Sequence, residues 1–166
     1  MKALPIPRSE FALRVSLSGL LVGAAHPFPW VGLRYLTSQI VLWVSWLLRM
    51  EAERTAFDTI EVQGHMIQFV VACTFVELML GIQPLLWRKD RAVSRNFMRI
   101  MLSMGALFAG NIVRIETAQI LYGVGLPWVL AHDIPLGAIY FGLWVAVWHT
   151  WKRRAQDRPP HQLAAA

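Results

Sequence analysis

Apolar residues in this chain come in long blocks, separated by short polar or basic stretches. The first block runs from Phe11 to Leu33 and is broken by His26-Pro-Phe-Pro-Trp30. The second, Tyr35 to Leu48, is bracketed by Arg34 and Arg49. As a helix it reaches about 21 Å, short of a hydrocarbon core of roughly 30 Å. Residues 49–65 are polar and net acidic, with Glu51, Glu53, Asp58 and Glu61. A third block opens at Met66 and runs to Trp87, followed by the basic connector Arg88-Lys-Asp-Arg-Ala-Val-Ser-Arg95. The fourth spans Phe97 to about Ile115. A connector at 116–127, with Gly123, Gly125 and Pro127, leads to the last block, Trp128 to Trp151.

Blocks of this kind predict an all-α fold, a polytopic integral membrane helical bundle of four to five transmembrane segments. They make a single membrane domain over 1–155. Residues 156–166 read as a polar, disordered tail.

Composition sharpens this picture. The chain has 166 residues, 56% hydrophobic and only 16% charged, where a soluble domain carries about a quarter. The net charge of +6 would suit nucleic acid. The basic residues instead gather where blocks end, as the positive-inside bias places them. The expected partner is therefore a lipid bilayer, not nucleic acid. A cleaved leader is not expected: residues 11–25 have the length of a signal core, but Arg14 interrupts them and apolar helical sequence follows.

The charge rule puts the connector 88–95 and the residues from Lys152 in the cytosol. The segments 49–65 and 116–127 then lie outside. If both early blocks spanned, the N-terminus would also be outside, against Lys2, Arg8 and Arg14. Length and charge favour residues 35–48 as an interfacial or re-entrant segment.

Candidate chemistry follows from this topology. Cys73, the only cysteine, is expected about 10 Å into block three from its outer end. Arg114 closes the outer end of block four, and His132 opens block five. A thiol, a guanidinium and an imidazole thus share one depth. Each has a plainer reading. A buried cysteine is more often an inert small hydrophobe. Arg114 could reach for the interface, as Arg14, Arg34 and Arg49 are expected to, although a charge at membrane depth is a functional candidate by default. His132 could be a loop residue beside Asp133. Asn111, three residues before Arg114, is placed to orient the guanidinium. Glu77, four residues after Cys73, could pair with Arg114 or touch substrate; a structural ion pair is the alternative. His26, His65 and His149 read as connector or interfacial residues.

The stretches Gly64-His-Met-Ile-Gln-Phe-Val-Val-Ala-Cys73, Asn111-Ile-Val-Arg-Ile115 and Ala131-His132 occur in the order and spacing of a known family. Over 64–151 the chain resembles the exosortase/archaeosortase family of membrane cysteine transpeptidases. Cys73-Thr-Phe-Val-Glu77 looks most like the compact exosortase H branch, with Phe75 where many relatives carry Gly. The resemblance implies a protein-sorting enzyme that needs no cofactor. Its substrates would be membrane-anchored proteins with a tripartite C-terminal signal: a short motif, a transmembrane helix and a basic cluster. Cleavage would occur near the outer face of the cytoplasmic membrane, with transfer of the new C-terminus to an acceptor. Cys73 would be the nucleophile, His132 the acid/base and Arg114 the stabiliser of thiolate or oxyanion.

Two other classes compete. A non-catalytic assembly or accessory protein of the same fold would have an unreactive Cys73. A histidine-based cofactor-binding membrane subunit would need two axial histidines at one depth, and His132 and His149 share one block near opposite ends.

Overall fold

A computed structural model describes residues 8–89 and 91–156. The protein is mostly helical, with a small sheet inserted between its second and third helices. Helices α1 (Arg8–Ala25) and α2 (Val31–Leu47) are separated by the turn carrying Pro27 and Pro29. Proline removes a helix donor and restricts the residue before it. Trp30 takes a left-handed backbone, φ 44°. α2 then runs straight through Arg34, where the apolar pattern had placed a boundary.

The all-α expectation is corrected at residues 49–68. Strands β1 (Ala52–Ala56), β2 (Thr59–Val62) and β3 (His65–Gln68) form an antiparallel sheet in the order β1-β2-β3. Ile60 and Val62 are buried while Glu61 between them is only partly so, the alternation that a half-buried strand requires. Gln63 and Gly64 join β2 to β3 at φ 51° and 78°, the left-handed pair of a two-residue hairpin turn. Ile60, Val62 and Phe69 pack with Val41 and Leu42 of α2 and with Ile112 and Ile115.

Two arginines fasten the sheet to α2. Arg34 donates from Nε to the Phe69 carbonyl at 2.7 Å and pairs through Nη2 with Asp58. Arg54 donates to Gln39 Oε1 at 3.0 Å and Ser38 Oγ at 3.2 Å, with its guanidinium 4.6 Å from the Tyr35 ring centroid.

Met66 therefore lies in a strand, not at the start of a helix. The chain next makes a 3-10 turn, Val71–Thr74, and enters α3 (Val76–Leu86). Arg14 is buried and donates to the carbonyls of Pro84 and Trp87 at the end of α3, held in place by Glu10 at 2.6 Å. A helix end leaves such carbonyls without intrahelical partners. Arg14 and Arg34, expected to reach for the interface, are internal fasteners. α1 packs closely along α3 at Gly81, where a Cβ would lie 2.7 Å from Val22 Cγ2.

Asn96 closes the connector after α3, accepting from the Arg88 N–H at 3.0 Å and donating to the Arg88 carbonyl at 2.6 Å. Helix α4 (Val93–Gly123) follows, 31 residues long and so about 46 Å. Among the described residues it is the one helix long and apolar enough to cross a membrane. It continues through Arg114 and Glu116, where the pattern had ended it. A π-helical turn, Val129–Asp133, leads into α5 (Ile134–Gln156). Residues 157–166 of the predicted tail, and Lys2, lie outside the described residues.

The polarity of the molecule is partly inverted. Leu13, Leu20, Phe97, Leu102, Val113 and Phe141 are exposed, whereas Asn96, Asn111, Arg114, Glu116 and Gln119 are buried. Large exposed apolar surface belongs to interfaces or membranes.

Two stability predictions follow from this packing. Asp58→Ala strands Arg34 and is expected to cost about 2 kcal/mol. Gly81→Val drives a side chain into Val22 and is expected to cost about 1–3 kcal/mol. Both are read as lowered unfolding midpoints in detergent; an unchanged midpoint for Asp58→Ala would show that the Arg34 pair does not hold the sheet.

Candidate active site

Cys73 sits in the 3-10 turn between β3 and α3, not within a helix, and is 8% exposed. The apolar run Phe69–Leu80 does not continue as one helix because Phe75 adopts φ 58°. A left-handed residue ends one helical segment before the next begins. Thr74 bridges the break: its hydroxyl donates to the Val71 carbonyl at 2.7 Å and accepts from the Val76 N–H at 3.3 Å. Cys73 and Glu77 consequently do not share a helix face, contrary to the sequence expectation.

The turn is tied to its surroundings at two points. Arg34 holds the Phe69 carbonyl upstream. Asn111, fully buried on α4, donates from Nδ2 to the Cys73 carbonyl at 2.6 Å. The Asn111 Oδ1 in turn accepts from Arg114 Nε at 3.2 Å and Nη2 at 3.1 Å. The guanidinium carbon lies 5.2 Å from the centroid of the Phe75 ring. Arg114 Nη1 is buried and has no hydrogen-bond partner among the described residues. Arg114 is not at a helix end as expected; it lies more than two turns before Gly123 and is buried.

His132 is buried in the π-helical turn, which packs against α4. Its Nδ1 makes a 2.8 Å bond with Asp133 Oδ1, which leaves Nε2 as the nitrogen for proton exchange. Its ring stacks on Trp128 with centroids 4.6 Å apart and 14° between planes. The Cys73 turn is joined to Arg114 through Asn111, and the turn that carries His132 packs on the same helix, α4.

Glu77 belongs elsewhere. Its Oε1 pairs with His26 Nδ1 at 2.7 Å, not with Arg114. It lines a largely apolar cavity of about 360 Å³ with Val15, Val22, Leu78 and Tyr140. Sequence reasoning also missed residues that shape the site. Phe75 packs under Arg114 and meets the Tyr140 ring edge-on at 5.7 Å. Asp133 and Trp128 orient His132. Asp133 was visible as the immediate neighbour of His132; the aromatic contacts had no local signal.

A nucleophile, a proton carrier and a fixed cation are the groups that acyl transfer requires. No family model, curated protein or solved structure matches this chain.

Asn111→Leu removes both the donor to Cys73 and the acceptor for Arg114, leaving buried polar groups unpaired. A loss of about 2–4 kcal/mol is expected, together with altered alkylation of Cys73 by a small maleimide. A stable variant with unchanged alkylation would show that Asn111 does not set the turn.

Proposed function

We propose that this chain is a multi-pass membrane cysteine transpeptidase of the exosortase/archaeosortase kind. It would act at the extracytoplasmic face of the cytoplasmic membrane, as a bundle of four to five spans. The observation that carries the proposal is the buried link from the Cys73 carbonyl through Asn111 to Arg114, with Nη1 unpartnered. Phe75 is compatible with it: many members of that family carry Gly there, and this backbone is left-handed, the conformation glycine adopts freely. The exposed apolar flanks of α1, α4 and α5 support a bilayer setting.

In this mechanism Cys73 Sγ attacks the scissile carbonyl carbon and its proton passes to His132 Nε2. The carbonyl oxygen becomes an oxyanion beside the Arg114 guanidinium. Collapse breaks the C–N bond, and the leaving amine takes the proton from His132. A thioester remains on Cys73. An acceptor amine then attacks the thioester, forms a new amide and returns the thiol; water in the same role gives the free acid.

Burial of Cys73 in an apolar cluster favours the second reading, a non-catalytic accessory protein of the same fold. Co-expression with a protein bearing a tripartite C-terminal tail separates the two. Tail removal is expected with the native chain and not with Cys73→Ala. Arg114→Gln is expected to lower it by roughly 10²–10³, and His132→Ala by roughly 10²–10⁴. Equal removal by the native chain and Cys73→Ala contradicts the mechanism. The mass of the new C-terminus distinguishes transfer from hydrolysis.

A further inference from the structure

The sheet has two edges, and they are treated differently. At β1 the edge is capped at one point, where Trp46 Nε1 donates to the Ala52 carbonyl at 2.7 Å, and the Arg54 side chain ties the strand to α2. At β3 it is open. The Phe69 N–H donates to the Asp58 carbonyl at 2.8 Å. Antiparallel alternation then turns the backbone groups of Ile67 and His65 toward β2. Those of Met66 and Gln68 point out along the free edge, and among the described residues nothing bonds to them. An unpaired edge is a template for another extended chain.

This edge borders a groove of about 400 Å³ lined by residues 64–68, Tyr122 and Trp128. Aromatic rings connect the groove to the candidate site. His65 of β3 lies 4.6 Å from Tyr122, Tyr122 lies 5.5 Å from Trp128, and Trp128 stacks on His132 at 4.6 Å. From the other side, β3 leads through Phe69 and Val70 into the turn that carries Cys73. The groove therefore reaches the imidazole through Trp128 and leads to the thiol turn through the backbone that follows Gln68.

We infer that the free edge of β3 binds an extended peptide segment of the substrate as a fourth strand, delivering the scissile bond toward Cys73. This deepens, and rests on, the acyl-transfer reading of that site. The occupant is an extended backbone because the groove's unused groups are main-chain N–H and C=O of alternate residues, the pattern of strand addition. β3 has four residues, a reach of about 13 Å, so recognition covers a short motif. The rings of Tyr122 and Trp128 offer apolar contact to its side chains.

The test uses the full chain in detergent, as Cys73→Ala, so that binding is read without turnover. The probe is a synthetic set of acetylated, amidated hexapeptides, each carrying one photo-leucine. Crosslinks mapped by mass spectrometry are expected on residues 65–68, Tyr122 or Trp128. Peptides N-methylated at alternate backbone positions are expected to lose roughly tenfold in crosslink yield. Met66→Pro removes one outward N–H, leaves the β2 pairing in place and is expected to give a similar loss. Met66→Ala, which keeps that N–H, is expected to stay within about twofold. Crosslinks elsewhere, none at all, or yields indifferent to N-methylation on the otherwise unmodified edge overturn the inference. The same peptides offered to the native chain keep the two claims apart. Binding at β3 with no Cys73-dependent cleavage upholds the edge and sinks the catalytic reading. Cleavage that is indifferent to N-methylation and Met66→Pro sinks the edge and leaves the catalytic reading standing.

Discussion

Asn111 holds the candidate site together because it faces two ways. Its amide nitrogen fixes the carbonyl of Cys73, and its amide oxygen fixes two nitrogens of Arg114. In a fully buried place each of these groups would otherwise cost free energy to desolvate. The short turn at 71–74 has few hydrogen bonds of its own, so its position against α4 depends on this amide and on Arg34 at Phe69. A guanidinium held at two nitrogens and packed against the Phe75 ring presents its remaining edge in one direction. Catalysis by a fixed charge needs such preorganisation, since a mobile cation would have to be ordered as the reaction proceeds.

The same economy of polar contacts recurs through the molecule. Arg14 satisfies the end of α3, Asn96 closes the turn into α4, and Arg34 binds sheet to helix. Ser45, Glu116 and Gln119 meet between α2 and α4, with Ser45 Oγ 3.3 Å from Glu116 Oε2. Buried polar groups, most of them partnered though Arg114 Nη1 and Gln119 Nε2 are not among the described residues, lie under a surface bearing exposed leucines and phenylalanines. In an apolar medium that arrangement is stable, because only the inside offers partners.

Much of this was legible in the sequence, and the rest failed for definite reasons. Helical spacing alone put Asn111 and Arg114 on one face. The apolar pattern marks the helical blocks, but it misplaces their ends wherever a charge interrupts it. α2 and α4 run through Arg34, Arg114 and Glu116 because each finds a buried partner or neighbour that local sequence cannot reveal. Phe69–Leu80 is apolar apart from Thr74 and Glu77, and periodicity does not distinguish a helix from a buried turn in such a run. Only the left-handed Phe75 divides it. The sheet was hidden by its polar outer residues and by Gln63-Gly64, a turn pair less telling than Asn-Gly. Pairing Glu77 with Arg114 assumed an unbroken helix, so it failed with that assumption.

The central claim is that Cys73 forms a thioester with substrate. The direct measurement is an acid quench of the purified chain during turnover of a tripartite-tail substrate, followed by mass spectrometry of the peptide containing Cys73. The account predicts a substrate-derived adduct on Cys73 that hydroxylamine removes and that Cys73→Ala lacks. Substrate turning over with no adduct on Cys73, and at the same rate in Cys73→Ala, would contradict it.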